Sequence, residues 1–289
     1  MTFQETIKVH LIAYKKKNFA RLPNGYWKRS EPPVELEYAF TEDDREENLI
    51  GAYKDDFLSY KNKLKDDIKL HLYFHHLNSS QAMCLNFFFP LFKENRLDLV
   101  LDFLGFAGDR VKYDTVAFEK ESKIDGMLNY RPTNFDFYFE TETGKKFYFE
   151  IKYMEHDFGK APKDKNDKTL FDQEHIDKFN KVYSKNLVAI KPAYQVMNEF
   201  LSNYQLLRNV IHAGPGSFVV FVYPKENGRI KQNVAKAINE IVVDKWAQHV
   251  LAAEWELIFD FVNRNIHPSK LSGQMNEFKE KYFLKSLNT

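Results

Sequence analysis

Residues 134–153 read NFDFYFETETGKKFYFEIKY, two alternating stretches separated by a short loop. Every second residue of each stretch is apolar, which is the period of a half-buried β-strand. The loop between the stretches, residues 141–145, is short and contains a glycine, as hairpin loops commonly do. The sequence therefore predicts a β-hairpin whose polar face carries Asp136, Glu150 and Lys152.

These three side chains form the candidate catalytic set. Residues two apart in a strand share a face, so Glu150 and Lys152 should project together, with Asp136 on the partner strand. Two carboxylates from neighbouring strands can bind Mg²⁺ through oxygen. A lysine beside them can orient or help deprotonate a water and stabilise negative charge on a phosphate. The competing interpretation is an exposed Glu–Lys ion pair, worth about 0–1 kcal/mol and without function. The pattern alone leaves both interpretations open.

Helical and strand patterns alternate on both sides of the hairpin. Upstream, we expect a buried helix over residues 81–89 that Pro90 interrupts, a second helix over 94–103 and a strand over 111–118. Downstream, we expect a loop over 155–172, a helix over 194–211, a central strand SFVVFVY over 217–223 and helices over 230–283. This order predicts an α/β fold.

The 289 residues are enough for one large α/β domain, with or without an appended lobe. We expect residues 1–65 to be an N-terminal extension packed on the core, residues 66–228 to be the core, and residues 229–289 to be a C-terminal helical segment of the same domain.

Composition excludes several classes of protein. A hydrophobic fraction of 44% with 16% aromatic residues excludes a disordered chain. The single cysteine, Cys84, excludes an intramolecular disulfide framework and a Cys-rich zinc site. A net charge of +1 neither indicates nor excludes a nucleic-acid binder, because acidic residues at metals can offset basic residues in a groove. No signal peptide and no membrane span is predicted, so a cytoplasmic protein without a membrane partner is expected.

The order of these segments resembles the PD-(D/E)XK nuclease superfamily and, more narrowly, a bacterial group of restriction-endonuclease-like proteins within it. The resemblance rests on FDFYF at 135–139 followed by FEIKY at 149–153. Three further segments support it: NSSQA at 78–82 with NFFFPL at 86–91, DFGKA at 157–161, and YQLLRN at 204–209. It covers about residues 70 to 225. One departure from the superfamily pattern is that Phe135, and no proline, precedes Asp136.

The resemblance implies a restriction-endonuclease-like core, with a central mixed sheet of four to five strands flanked by helices. It also implies hydrolysis of DNA phosphodiester bonds that depends on Mg²⁺, for which Mn²⁺ can substitute. The implied metal ligands are Asp136, Glu150 and the backbone carbonyl of Ile151. The superfamily places a further acidic residue upstream, for which Glu119 is our choice and Glu121 the alternative.

Two more parts of the chain are candidates for supporting roles. Gln205 and Arg208 lie three apart, so a helix presents them on one face. Since the superfamily often supports its site from the following helix, we assign Gln205 a support role and Arg208 a contact to a phosphate or carboxylate. An ordinary helix surface is the alternative. Lys160 begins a run of lysines that could contact phosphates or could simply be solvated alongside interleaved aspartates.

The predicted function is therefore a metal-dependent DNA endonuclease of a restriction or defence system. The alternative is a catalytically inactive nuclease-fold module that binds nucleic acid or a protein. A nuclease directed at RNA or activated by a nucleotide is a third hypothesis. Expected partners are DNA, a cognate methyltransferase acting on the same site, and a second copy of the chain, since a homodimer could cut both strands.

Overall fold

A central five-stranded sheet organises the half of the protein that carries the predicted site. The computed structural model describes residues 1–27, 29, 31–64, 68–126 and 132–284. The described residues form two compact units. One comprises Met1–Gly108 with Trp255–Thr289, and the other comprises Asp109–Glu254. These are units of spatial packing and not segments of the chain. The predicted division of the chain at residues 65 and 228 therefore stays a prediction.

The sheet lies in the Asp109–Glu254 unit and is mixed. Its strands are β3 (Val111–Glu121), β4 (Asn134–Thr141), β5 (Lys146–Ile151), β6 (Ser217–Tyr223) and β7 (Val250–Glu254), in that spatial order. β3, β4 and β5 pair antiparallel, whereas β5, β6 and β7 pair parallel. The predicted α/β class and the predicted mixed sheet of four to five strands are confirmed.

Helices cover one face of this sheet. They are α5 (Gln173–Lys181), α6 (Met197–Ser202), α7 (Tyr204–Val210) and α8 (Gly228–Lys236). Buried side chains of these helices pack with Val219 and Phe221 of β6 in one hydrophobic core. Glu150 pairs with Phe221 in the parallel ladder. Since residues paired in a ladder share a face, Glu150 points into the side of the sheet that the helices cover.

The other unit is mainly helical. Its elements are α1 (Phe3–Asn18), the strands β1 (Gly25–Trp27) and β2 (Val34–Leu36), α2 (Gly51–Lys63), α3 (Ser80–Lys93), α4 (Asp98–Phe103), α9 (Trp255–Arg264) and α10 (Lys270–Tyr282). α3 is buried along almost its whole length and packs against α2 and α10. In the described part of the chain, no helix combines the length and apolar character needed to cross a bilayer.

Three predictions about individual elements were wrong. Pro90 does not interrupt its helix, because α3 continues to Lys93. The helix expected over residues 194–211 is divided into α6 and α7 at Asn203. Residues 250–254, VLAAE, form the parallel edge strand β7 within a stretch that was expected to be helical. Leucine, alanine and glutamate are good helix formers, so only pairing with β6 makes this segment a strand.

Candidate active site

Asp136 and Glu150 lie next to each other across β4 and β5. The ladder pairs Phe137 with Phe149, so the next position along it brings these two carboxylates together. At that point the Ile151 amide donates a hydrogen bond to Asp136 Oδ2 at 2.6 Å. The side chain of one strand thus binds the backbone of the other, which fixes the Asp136 carboxylate beside the Glu150–Ile151 peptide.

Lys152, the residue directly after β5, completes the set. Its Nζ lies 2.8 Å from Glu150 Oε1 and 5.1 Å from the centre of the Phe158 ring. Glu150 and Lys152 are each only 4% exposed. The pair is therefore buried and is not the exposed ion pair of the competing interpretation.

Acidic groups outnumber basic groups around the Asp136 carboxyl group. Burial raises the pKa of Asp136 well above its ordinary value, and the charges of Glu150 and Glu119 raise it further. Burial acts to lower the pKa of Lys152, but Glu150 and Glu155 outweigh it, so the net pKa is raised and the group stays an ammonium ion. The Lys152 ammonium thus interacts with the carboxyl groups of Glu150, Glu155 and Asp136.

Glu119 reaches the site through an irregular backbone. It lies between the pairs Phe118–Phe137 and Lys120–Phe135, which places it across from Asp136. Its φ is +55°, in the left-handed region that non-glycine residues rarely adopt. Glu119 is 9% exposed, whereas the alternative, Glu121, is exposed. Of the two acids, Glu119 is the buried one that acts on Asp136.

Gln205 connects the catalytic set to the loop that follows β5. Its Nε2 donates to Glu150 Oε1 at 2.9 Å, and its Oε1 accepts from the Gly159 amide at 3.0 Å. Gln205 belongs to α7. Its one side chain therefore binds both the Glu150 carboxylate and the loop at Gly159. This contact is the geometry that the support role requires.

The other two predicted residues are Arg208 and Lys160. The Arg208 guanidinium lies 5.3 Å from the centre of the Tyr204 ring, and its buried Nε has no hydrogen-bond partner. No ion pair joins Arg208 to a carboxylate within the described ranges. Lys160 is exposed and directly follows Gly159. Among the described residues, no hydrogen bond or ion pair joins either of them to the candidate catalytic set.

Glu155 and Asn227 are part of this arrangement but were not predicted. Glu155 accepts a hydrogen bond from the Tyr153 amide at 2.6 Å and raises the pKa of Lys152. Asn227 donates to the carbonyls of Tyr153 and Glu155 at 3.1 and 3.0 Å, which fixes the chain as it leaves β5. Glu155 lies beyond the end of β5, so strand alternation could not identify it. Asn227 is distant in sequence and carried no signal.

The donor set fits a hard divalent cation of the Mg²⁺ type. Among the described residues, no three His, Cys, Asp or Glu side chains are grouped as a complete metal site. Mg²⁺ does not require such a group, because it is commonly held by one or two carboxylates together with waters and substrate phosphate oxygens. Asp136 and Glu150 would supply the carboxylates and the Ile151 carbonyl a backbone oxygen. A cation there would also offset the excess negative charge that raises the pKa of Asp136.

The fold and this arrangement of residues define a restriction-endonuclease-like protein. The profile of the family described as "Restriction Endonuclease associating with ARP" matches residues 8–283. The chain therefore belongs to that family, and the match includes terminal segments outside the resemblance seen in the sequence. No curated protein and no solved structure matches the chain.

Replacing Gln205 by alanine should weaken the binding of a metal ion at this site without unfolding the protein. The change removes the hydrogen bond to Glu150 and the one from Gly159, so the carboxylate loses its support. Loss of a group that orients a metal ligand typically costs about 10–100-fold in metal affinity or activity. Titration with Mn²⁺ would measure the affinity of the site. The matched change Gln232→Ala, at an exposed position of α8, should leave the affinity unchanged, and equal affinities for both variants would contradict the support role.

Proposed function

We propose that the chain is a metal-dependent endonuclease that hydrolyses phosphodiester bonds of DNA. One observation carries the proposal: two strand-borne carboxylates, Asp136 and Glu150, lie side by side, and Glu150 is buried together with the Lys152 ammonium. Burial of charged groups costs stability unless they are compensated. An inactive binding module would gain nothing from such a set, whereas a phosphodiesterase site needs it.

Each residue has a distinct task in this proposal. Asp136 and Glu150 would bind the metal through carboxylate oxygens, and Gln205 keeps the Glu150 carboxylate oriented. Because its pKa is raised, Lys152 acts as a fixed cation that orients the attacking water and stabilises charge on the phosphate. Mg²⁺ bound there would polarise the phosphate and lower the pKa of the attacking water. Glu119 adds negative charge next to Asp136, which strengthens cation binding.

Several partners follow from the proposal and from the family description. That description names an association with ARP, so we propose that the chain acts together with such a partner in a restriction or defence system. A methyltransferase that modifies the same DNA site and a second copy of the chain, for cutting the second strand, belong to the same proposal.

Cleavage of supercoiled plasmid tests the function. Methylated and unmethylated plasmid are each incubated with the protein in Mg²⁺, in Mn²⁺ or in EDTA, with single-stranded RNA as competitor. We expect nicked or linear product with either metal and none in EDTA or with Glu150→Gln. The matched change Glu142→Gln, at an exposed position of the hairpin loop, should cleave normally.

Two results would count against the proposal. Equal inactivity of wild type and Glu150→Gln under every metal and methylation state would favour the inactive binding module. Inhibition by RNA at concentrations where unlabelled DNA has no effect would favour an RNA-directed nuclease.

A further inference from the structure

The loop after β5 contains a closed, cationic segment, residues 163–171, which we call the lysine finger. Its base is closed by an antiparallel bridge between Lys163 and Phe171. The Asp164 amide donates to the Leu170 carbonyl at 3.1 Å, and the Asp172 amide to the Pro162 carbonyl at 3.0 Å. The finger is therefore held in one conformation by its own backbone contacts.

A buried aromatic side chain and the aliphatic-to-cationic side chain of Lys163 hold the base of the finger. Phe171 is buried, and the Lys163 Nζ lies 3.5 Å from the centre of its ring while donating to the Thr169 carbonyl at 3.2 Å. The Lys163 ammonium thus makes contacts within the finger that stabilise its closed conformation. Lys165 and Lys168 lie between the closing residues and are exposed.

No ion pair joins the aspartates of the finger to its lysines, although the charges of Lys168 and Lys163 help to lower the pKa of Asp164 and Asp167, respectively. Asp164 accepts from the amides of Asn166 and Asp167, and Asp167 accepts from the amide and hydroxyl of Thr169. These hydrogen bonds lower the pKa of both carboxyl groups. Both carboxylates therefore bind groups within the finger. In the part of the chain that the structure describes, no ion pair joins a carboxylate to Lys160, Lys163, Lys165 or Lys168.

A short chain segment and one shared side chain, Gln205, connect the finger to the candidate catalytic set. Lys160 follows Gly159, whose amide is bound by the same Gln205 that binds Glu150. The Ala161 amide then donates to the Leu201 carbonyl at 2.9 Å, so the segment leading to the finger is also fixed. The exposed Lys160, Lys165 and Lys168 therefore lie on an ordered segment that follows the site in the chain and form no ion pairs within the described residues.

We propose that Lys160, Lys165 and Lys168 bind the phosphate backbone of duplex DNA and hold it at the catalytic set. The proposal rests on the proposed nuclease function and names the surface that holds its substrate. Ammonium groups that replace condensed counterions on DNA give binding that is independent of sequence and weakens with salt. An ordered finger loses little conformational entropy on binding, which favours contact.

The test measures how DNA affinity depends on salt. Fluorescence anisotropy of a labelled duplex is recorded in EDTA, so that binding is read without cleavage, from about 50 to about 200 mM salt. Each phosphate contact contributes about 0.9 to the slope of log affinity against log salt. The triple variant K160Q/K165Q/K168Q should therefore lower the steepness by about 2 to 3. The arginine triple K160R/K165R/K168R should keep it, because the charge remains.

A matched control removes the same charge elsewhere in the unit, at the exposed Lys112, Lys123 and Lys185, and should leave the slope unchanged. An unchanged slope in the glutamine triple would overturn the finger proposal. So would a loss of affinity at an unchanged slope, or equal losses in the arginine triple, because both indicate a structural effect. Plasmid cleavage by the wild type, measured separately, shows whether the nuclease function stands in either case.

Discussion

Replacing Asp136 by asparagine is expected to abolish cleavage and, in the same protein, to raise the stability of the metal-free state at neutral pH. Burial, together with the charges of Glu150 and Glu119, raises the pKa of Asp136. The folded state therefore holds the Asp136 proton more tightly than the unfolded chain does. Each unit by which the folded-state pKa is raised corresponds to about 1.4 kcal/mol.

The sign of the pH dependence follows from this raised pKa. The contribution of Asp136 to stability is fully present below the pKa of the unfolded chain, about 4, and is lost as the pH rises through the folded-state pKa. Asparagine has no proton to lose, so Asp136→Asn escapes that loss. In EDTA, the Tm of the variant should exceed that of the wild type by a margin that grows with pH.

Adding Mg²⁺ should reverse the comparison, because only the wild type keeps both carboxylates and is stabilised by binding. The matched change Asp114→Asn, at an exposed position of β3, should alter neither cleavage nor the pH dependence. If Asp136→Asn is less stable than the wild type in EDTA at neutral pH, the argument from the raised pKa of Asp136 is contradicted. If Asp136→Asn still cleaves, the role of Asp136 as a metal ligand is contradicted.

Replacing Lys152 by alanine is expected to have the opposite effect on stability and a similar effect on activity. The change leaves the Glu150 carboxylate buried without its ammonium partner, which typically costs about 3–5 kcal/mol. It also removes the cation that stabilises charge in the transition state, for which a loss of about 10²–10³-fold in the cleavage rate is expected. Thermal unfolding and single-turnover cleavage measure the two effects.

A second variant separates catalysis from folding. In E150Q/K152M both charges are removed together, so the stability should return towards that of the wild type while cleavage stays absent. Lys152→Arg, which keeps the charge, should retain more activity than Lys152→Ala if the lysine acts as a cation. Wild-type cleavage by Lys152→Ala would show that this lysine takes no part in the chemistry.

The hairpin was predictable because its signal is local. Alternation places Phe137 and Phe149 on one face, and the short loop leaves an antiparallel pair as the only connection. The strand β6 was equally legible, since a run of apolar residues favours a central position in a sheet. Both elements were therefore predicted with bounds close to those observed.

What the sequence could not show depends on contacts between distant residues. The choice between Glu119 and Glu121 depends on the β3–β4 register, which shifts between Lys112 and Ala117, and no alternation pattern contains that information. The buried pair of Lys178 and Asp125, 3.1 Å apart, joins residues that are far apart in the chain and equally ordinary in composition. Pro90 in α3 was misjudged because tertiary packing of an almost fully buried helix outweighs the cost of one missing backbone bond.

A crystal soaked in Mn²⁺, with data collected at the manganese absorption edge, tests the central claim most directly. We expect an anomalous peak between β4 and β5, with oxygens of Asp136 and Glu150 both within about 2.5 Å of it. The peak should disappear in Asp136→Asn. A fully soaked crystal with no peak at this position, or with the ion held by other residues, would contradict the proposal that these two carboxylates bind the metal.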